Sequence, residues 1–151
     1  AAALKLQDQA PAFSLPGLRE TNGQALDTIA AASRKYGSGV IVSFFATWCT
    51  PCRSELPLLE AVANDHRDAG LRVVLIAVKE DAPAVGAFLS GLGISRSFVL
   101  LDRDGTTAKQ YQVRLLPTTF FIGPDGRIKD IQFGEIRNPG DLQKSVRMIL
   151  P

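Results

Sequence analysis

The chain has 151 residues, 46% of them hydrophobic and 21% charged, with a formal net charge of +2. That size and balance suit one globular domain able to bury its own core, so residues 1–151 are expected to fold as a single unit. So small a net charge, without Lys and Arg runs interleaved with aromatics, sets aside nucleic acid as a partner. No apolar stretch reaches the roughly 18 residues that a membrane span needs.

The chain opens AAALKLQDQAPAF, with no initiator Met and no signal-peptide pattern. It reads as a mature or trimmed segment, in which a removed leader or membrane anchor would leave no trace. Residues 1–39 are the least regular part, punctuated by Pro11, Pro16 and an Asn22-Gly23 turn signal. Within them DTIAAASRKYG predicts a short helix, with Asp27 as N-cap and Gly37 as stop.

From Val40 the pattern sharpens. VIVSFFA is a short β-branched and aromatic run that suits a buried strand. Cys52–Ala69 follows with helical periodicity, Leu56, Leu59 and Ala63 on one face and Leu58 and Val62 beside them. RVVLIAV predicts a second buried strand, and APAVGAFLSGLG a helix stopped by glycine. SFVLLD predicts a third strand, followed by the DRDG turn and a short helix over Thr106–Tyr111. TTFFIG and RIKDIQF flank Pro124-Asp125-Gly126 as an antiparallel hairpin. A last helix is expected from Pro139 to Leu150. Alternating strands and helices imply parallel βαβ units with right-handed crossovers, and the late hairpin adds an antiparallel edge. The expected fold is α/β: a mixed, mostly parallel central sheet flanked by helices on both faces.

The only two cysteines, Cys49 and Cys52, stand three apart in FFATWCTPC. A small disulfide-stapled scaffold would spread several pairs along the chain, so these two point to chemistry rather than to scaffolding. Cys49 falls where a strand gives way to a helix. Unpaired N–H groups and the positive end of the dipole there favour thiolate over thiol. Cys52 lies one turn deeper on the same face, within bonding reach, and Pro51 fits the first helical turn. One sulfur is presented and activated while the other waits behind it, as thiol–disulfide exchange requires. A lone structural disulfide and half of a metal site are the competing readings. Zinc wants four protein ligands, and His66, the only histidine, stands among Asn64, Asp65, Arg67 and Asp68 on a polar helix surface. Asp102 and Asp104 in DRDG lack the downstream acid of a calcium loop. No metal and no cofactor is implied.

APAFSLPGL, FFATWCTPCRSELPLLE and LLDRDGTTAKQYQVRLLPTTFFIGPDGRI together resemble the thioredoxin fold, and within it the TlpA/ResA-like thiol–disulfide oxidoreductases related to AhpC/TSA proteins. The resemblance covers nearly the whole chain and implies a thioredoxin-like sheet with an N-terminal extension and an extra βα insertion. It makes Cys49 the attacking sulfur, Cys52 the resolving one, and Pro117 a cis-proline facing them. Leu116 would then pair its backbone with a substrate peptide, strand to strand; a trans proline opening an edge strand is the plainer alternative. Trp48 matches a residue that shields the site, and Thr50, Pro51 and Thr118 are its remaining expected substrate contacts. Phe44 and Phe45 are expected in the core.

Glu55 stands at i+3 from Cys52 in CxxCxxE, where the resemblance implies a proton-handling acid. The bland alternative is a solvent-facing glutamate favoured by the helix dipole. Thioredoxins proper keep a buried aspartate at the position of Ser43, which cannot accept a proton near neutral pH, so Glu55 is the evident substitute. Lys79 and Glu80 end the second strand on the same functional edge, where plain surface charges are the alternative.

The expected function is an extracytoplasmic protein disulfide reductase, a monomer, periplasmic or anchored through a segment outside this chain. Its expected partners are protein disulfides, apocytochromes or copper-site proteins among them, and a membrane or periplasmic electron donor. The GxxGxPE-type signature of the CcmG/DsbE branch is absent at VRLLPTT, which favours a general TlpA-like role. A thiol peroxidase is the second reading, though no Pro-x-x-x-Thr/Ser-x-x-Cys pattern precedes either cysteine. A Cu(I)-handling module is the third, because two thiolates are soft ligands.

Overall fold

The computed structural model describes residues 3–20 and 23–151. Its elements begin with β1 (Ser14–Pro16), β2 (Gly23–Ala25), α1 (Leu26–Arg34), β3 (Val40–Phe45), α2 (Thr50–Asp65) and β4 (Arg72–Val78). They continue with α3 (Ala82–Gly91), β5 (Phe98–Asp102), α4 (Thr106–Gln110), β6 (Thr118–Ile122), β7 (Ile128–Phe133) and α5 (Pro139–Arg147).

Five strands form one sheet in the order β5-β4-β3-β6-β7. The β3–β4 and β4–β5 pairs are parallel, and the β3–β6 and β6–β7 pairs antiparallel, so β6 alone runs against the rest. β3 is central and buried at every residue, which is why VIVSFF reads as a continuous apolar run with no alternation. Helices α2, α3 and α5 cover the face carrying Ile41, Phe45, Leu75 and Phe121. α1 and α4 lie on the other face, with Val42, Phe44, Ile76 and Phe120. The mixed sheet with helices on both faces is the architecture expected from the sequence.

Three local expectations need correcting. Residues 14–16 and 23–25 form an antiparallel ladder, so the leading segment is more regular than its prolines suggested; the Asn22-Gly23 turn has its first residue outside the described residues. Helix α1 starts one residue before Asp27, with Ala25 as N-cap, and Asp27 complements the dipole from within the first turn. Helix α2 runs from Thr50, not Cys52, and stops at Asp65 with His66 as its C-cap; Leu58 on it is exposed. Gly37 does end the first helical segment, at φ 79°.

The segment before α1 crosses one sheet face from edge to edge. Gln9 bridges Arg127 beside β7, and Gly17 bridges Leu100 on β5. Both exposed edges thereby gain partners, which removes templates for unwanted strand pairing. Phe13 on this segment meets the Tyr111 ring, and the buried Tyr111 hydroxyl donates to the Pro11 carbonyl at 2.7 Å. Burial pushes the Tyr111 phenol well above its ordinary range.

On the opposite face, Glu60 of α2 is buried and fixes the loop that enters β5. Its carboxylate accepts from the backbone N–H groups of Ser95, Arg96 and Ser97 at 2.7, 2.8 and 3.1 Å, and from the Ser97 hydroxyl at 2.7 Å. Burial acts to raise this carboxyl's pKa, but the donors together outweigh it and hold the group below its ordinary value. Glu60→Ala leaves those donors without an acceptor and is expected to lower the unfolding free energy by about 3 kcal/mol at pH 7. Because the folded-state pKa is depressed, this contribution is lost as the pH falls through the carboxylate range. Urea melts at pH 7 and pH 4 should therefore show the gap between wild type and variant closing at the lower pH.

Candidate active site

β3 runs out at Phe45, and four residues later Cys49 takes the N-cap of α2 with an extended backbone. The N–H of Cys52 donates to the Cys49 sulfur at 3.3 Å. The two cysteines are joined as a disulfide, with their Cα atoms 5.3 Å apart. A sulfur at this position faces the unpaired N–H groups of the first helical turn, which stabilise it as a thiolate once the bond is reduced. Pro51 occupies the first turn, where its missing N–H is harmless. Cys49 is 4% exposed and Cys52 1%, so the sulfur expected to attack is less open than the sequence suggested. Thr50 and Pro51 beside it are exposed, and Trp48 is 74% exposed, its ring standing in solvent rather than buried over the sulfurs. Phe44 and Phe45 are wholly buried, as expected.

One side chain behind the loop, Glu80, holds it in place. Lys79 leaves β4 in the left-handed region, φ 58°, a conformation that costs of order 1 kcal/mol in a residue other than glycine. This turn brings Glu80 to Thr47, whose backbone N–H donates to Oε1 at 2.7 Å and whose hydroxyl donates to Oε2. Glu80 is thus a brace for the residues just before Cys49, whereas Lys79 itself is exposed. On α2, the Arg53 guanidinium lies over the Phe88 ring, 5.2 Å from its centroid.

The second half of the site comes from β6. The Leu116–Pro117 peptide bond is cis. Thr118 pairs with Phe44 in the β3–β6 register, which puts Pro117 at the sheet end from which the Cys49 loop departs. Leu116 is half-buried against both cores, and the Thr118 hydroxyl donates to the Leu115 carbonyl at 2.7 Å.

Glu55 is the buried acid of the site, only 1% exposed, so the solvent-facing alternative fails. Its Oε1 accepts from the Thr119 hydroxyl at 3.2 Å, and that hydroxyl lies 2.8 Å from the Ser43 hydroxyl. Oε2 has no hydrogen-bond partner among the described residues. Burial raises the carboxyl pKa to about 7, against smaller opposing pulls from the Thr119 hydroxyl and the Ile136 N–H, and with a further push from the charge of Glu135. The structure therefore joins Ser43 and Glu55 through Thr119, a residue that sequence reasoning missed. Its signal was the β6 alternation, which sets a second hydroxyl across the sheet from Ser43, but the register that aligns them is not local.

Other candidates fall away from this cluster. Asp102 accepts the N–H groups of Thr107 and Ala108 at 3.1 and 2.9 Å, and Asp104 accepts that of Thr106 at 3.0 Å, so DRDG is a turn and helix cap. Among the described residues, no group of three or more His, Cys, Asp or Glu is placed to hold a metal ion, and no helix is long and apolar enough to cross a membrane.

Residues 6–131 match the AhpC/TSA family, and the chain belongs to it. It is 33% identical over 117 residues to thiol-disulfide oxidoreductase ResA of Bacillus subtilis, an alignment covering 78% of this chain and 63% of that protein. It is 32% identical over 128 residues to the thioredoxin-like protein YneN of the same organism, covering 83% and 70%. Its fold superimposes with a TM-score of 0.85, at 26% identity, on a Chlorobium tepidum protein described as a thiol:disulfide interchange protein DsbE, covering 97% of this chain and 98% of that one. The sheet and its helices are thus a thioredoxin-like fold.

Raising the Glu55 pKa has a consequence for stability. The folded state holds this proton more tightly than the unfolded state, so stability falls as the pH rises from the ordinary 4.5 through about 7. The loss amounts to about 3 kcal/mol in all. Glu55→Gln is expected to match wild type near pH 5 and to exceed it by about 2–3 kcal/mol at pH 8, read from denaturant melts of the oxidised proteins.

Proposed function

We propose that this AhpC/TSA-family chain is a thiol–disulfide oxidoreductase that reduces protein disulfides through Cys49 and Cys52. The observation that carries the reading is the buried Cys49–Cys52 disulfide at the head of α2, with a buried acid whose pKa is raised to about 7 one turn further along the same helix. In the proposed reaction the Cys49 thiolate attacks a substrate disulfide, and one substrate sulfur leaves with the electron pair. Cys52 then gives its proton to the Glu55 carboxylate, attacks the Cys49 sulfur, and expels the second substrate thiolate. Two electrons pass to the substrate, and the protein is left with the Cys49–Cys52 bond.

We assign Pro117 and the Leu116 backbone to receiving the substrate chain, with Trp48, Thr50 and Pro51 around it; Thr118, expected there from the sequence, is buried with its hydroxyl on the Leu115 carbonyl and is left out. The exposure of Trp48, Thr50 and Pro51 beside buried sulfurs supports that assignment. The TlpA/ResA resemblance supports an extracytoplasmic setting with a separate electron donor that restores the dithiol. Thiol peroxidase chemistry is disfavoured by the lack of a Pro-x-x-x-Thr/Ser-x-x-Cys setting.

Cys52→Ser is expected to accumulate a mixed disulfide with a scrambled disulfide protein, visible as a shifted band on non-reducing gels, while Cys49→Ser accumulates none. A trap formed by Cys49→Ser instead, or by neither variant, would falsify the assignment of roles. Hydrogen peroxide should be consumed no faster by the reduced protein than by a simple dithiol.

A further inference from the structure

The chain between β7 and α5 carries another acid to this site. Gly134, at φ 83°, turns the chain out of β7 and donates its N–H to the Pro117 carbonyl at 2.8 Å. Two residues on, Ile136 is buried in the same apolar cluster as Cys49 and Cys52. The loop is therefore pinned on one side to the cis-proline and on the other to the core around the sulfurs. Glu135 stands between those two anchors with its side chain only 23% exposed. Its nearest cation is Arg137, whose Nε is 3.8 Å from Oε1 and whose side chain is 85% exposed. That separation is too long for a hydrogen bond, and so exposed a partner neutralises little charge.

The side chains hydrogen-bonded around Glu55 carry no charge, and the nearby charged groups are engaged elsewhere. Thr119 and Ser43 offer hydroxyls, and the joined sulfurs are neutral. Arg53 is directed to Phe88. Asp130 on β7 has its carboxylate engaged by the Ser145 hydroxyl, the Gln132 amide and the Ile131 N–H. The charge of Glu135 pushes the Glu55 carboxyl up, in the same direction as burial and far less than burial does.

We infer that Glu135, on the loop pinned between the cis-proline and the core around the sulfurs, is a second acid of the active site, a positioning residue that acts through Glu55. The inference rests on the disulfide-exchange reading above and adds a control to it. To resolve a mixed disulfide, the ionised Glu55 takes the Cys52 proton, the freed sulfur pair bonds to Cys49, and the substrate sulfur leaves as thiolate. A neighbouring negative charge makes Glu55 a stronger base, nearer in affinity to the thiol it must deprotonate, and moves its ionisation to higher pH.

The test follows the Glu55 carboxyl carbon by NMR in the oxidised protein, with Glu55→Gln assigning the signal. Glu135→Gln should lower the titration midpoint by about half a pH unit or more, and Glu135→Asp should keep most of the wild-type value. In stopped flow, reduced protein mixed with 5,5′-dithiobis(2-nitrobenzoate) releases a second thiolate as Cys52 resolves the adduct. The acid limb of that second phase should move down by the same amount in Glu135→Gln, and should not respond to Glu135→Gln when Glu55→Gln is also present. A midpoint unmoved by Glu135→Gln overturns the inference, as does a shift that survives in the double variant. A shifted midpoint in a protein that exchanges no disulfide at any pH upholds the coupling and sinks the functional reading instead.

Discussion

The antiparallel pairing of β3 with β6 is the constraint on which the rest of the site depends. Opposing Phe44 to Thr118 and Ser43 to Thr119 does two things at once. It carries the cis Leu116–Pro117 bond to the sheet end where the Cys49 loop departs, and it sets two hydroxyls side by side under α2. A one-residue slip would turn Thr119 to the opposite face and leave Glu55 with no donor at Oε1. The register is secured by burial, because Phe44, Phe120 and Tyr111 interlock on one face, with ring centroids 4.9–5.9 Å apart, while Phe121 fills the other. The aromatic core on the far side of the sheet thus determines where the polar chain lies on the near side.

Much of this arrangement is legible in the sequence. The strand and helix periods of the region after Val40 recover its elements, and the C-x-x-C spacing at a strand-to-helix junction locates the sulfurs without any tertiary information. Local rules fail where a partner is distant. The β1–β2 ladder joins two three-residue pieces whose strand character depends on each other rather than on periodicity. Thr119 looks like an ordinary β-former, Glu80 like a loop charge, and Glu135 like a residue after a hairpin. Glu80 and Thr119 acquire their places from hydrogen bonds to residues 33 to 76 positions away, Glu80 with Thr47 and Thr119 with Ser43 and Glu55. The misplaced starts of α1 and α2 have a different cause: chain entry angles decide which residue stands outside the helix, and composition narrows that only to a few positions.

Two buried glutamates on one helix show how environment separates structure from chemistry. Glu55 and Glu60 are 1% and 6% exposed, nearly the same burial. Glu60 gathers four donors and is held below its ordinary pKa, a fixed anion that ties a loop to α2. Glu55 has one hydroxyl donor on one oxygen and an unpartnered second oxygen, and burial wins. The difference is one of hydrogen-bond supply, not of depth. A carboxyl left short of donors is poorly suited to holding a fold and well suited to exchanging a proton.

The position of Glu55 along α2 explains why the helix does not supply what is missing. With Thr50 as the first helical residue, Cys49 and Cys52 lie within the opening turn, where the positive end of the dipole and the free N–H groups act. Glu55 is in the second turn, where the N–H groups are already bonded to carbonyls and the dipole's influence has faded. One helix therefore treats its two kinds of acid in opposite ways: it favours the thiolate at its head and leaves the carboxylate behind it to the cost of burial. Burial raises the Glu55 carboxyl toward the thiol range, and so acts to narrow an ordinary separation of about four units between thiol and glutamate. In the proposed reaction, that narrowing lowers the cost of passing the Cys52 proton to the Glu55 carboxylate.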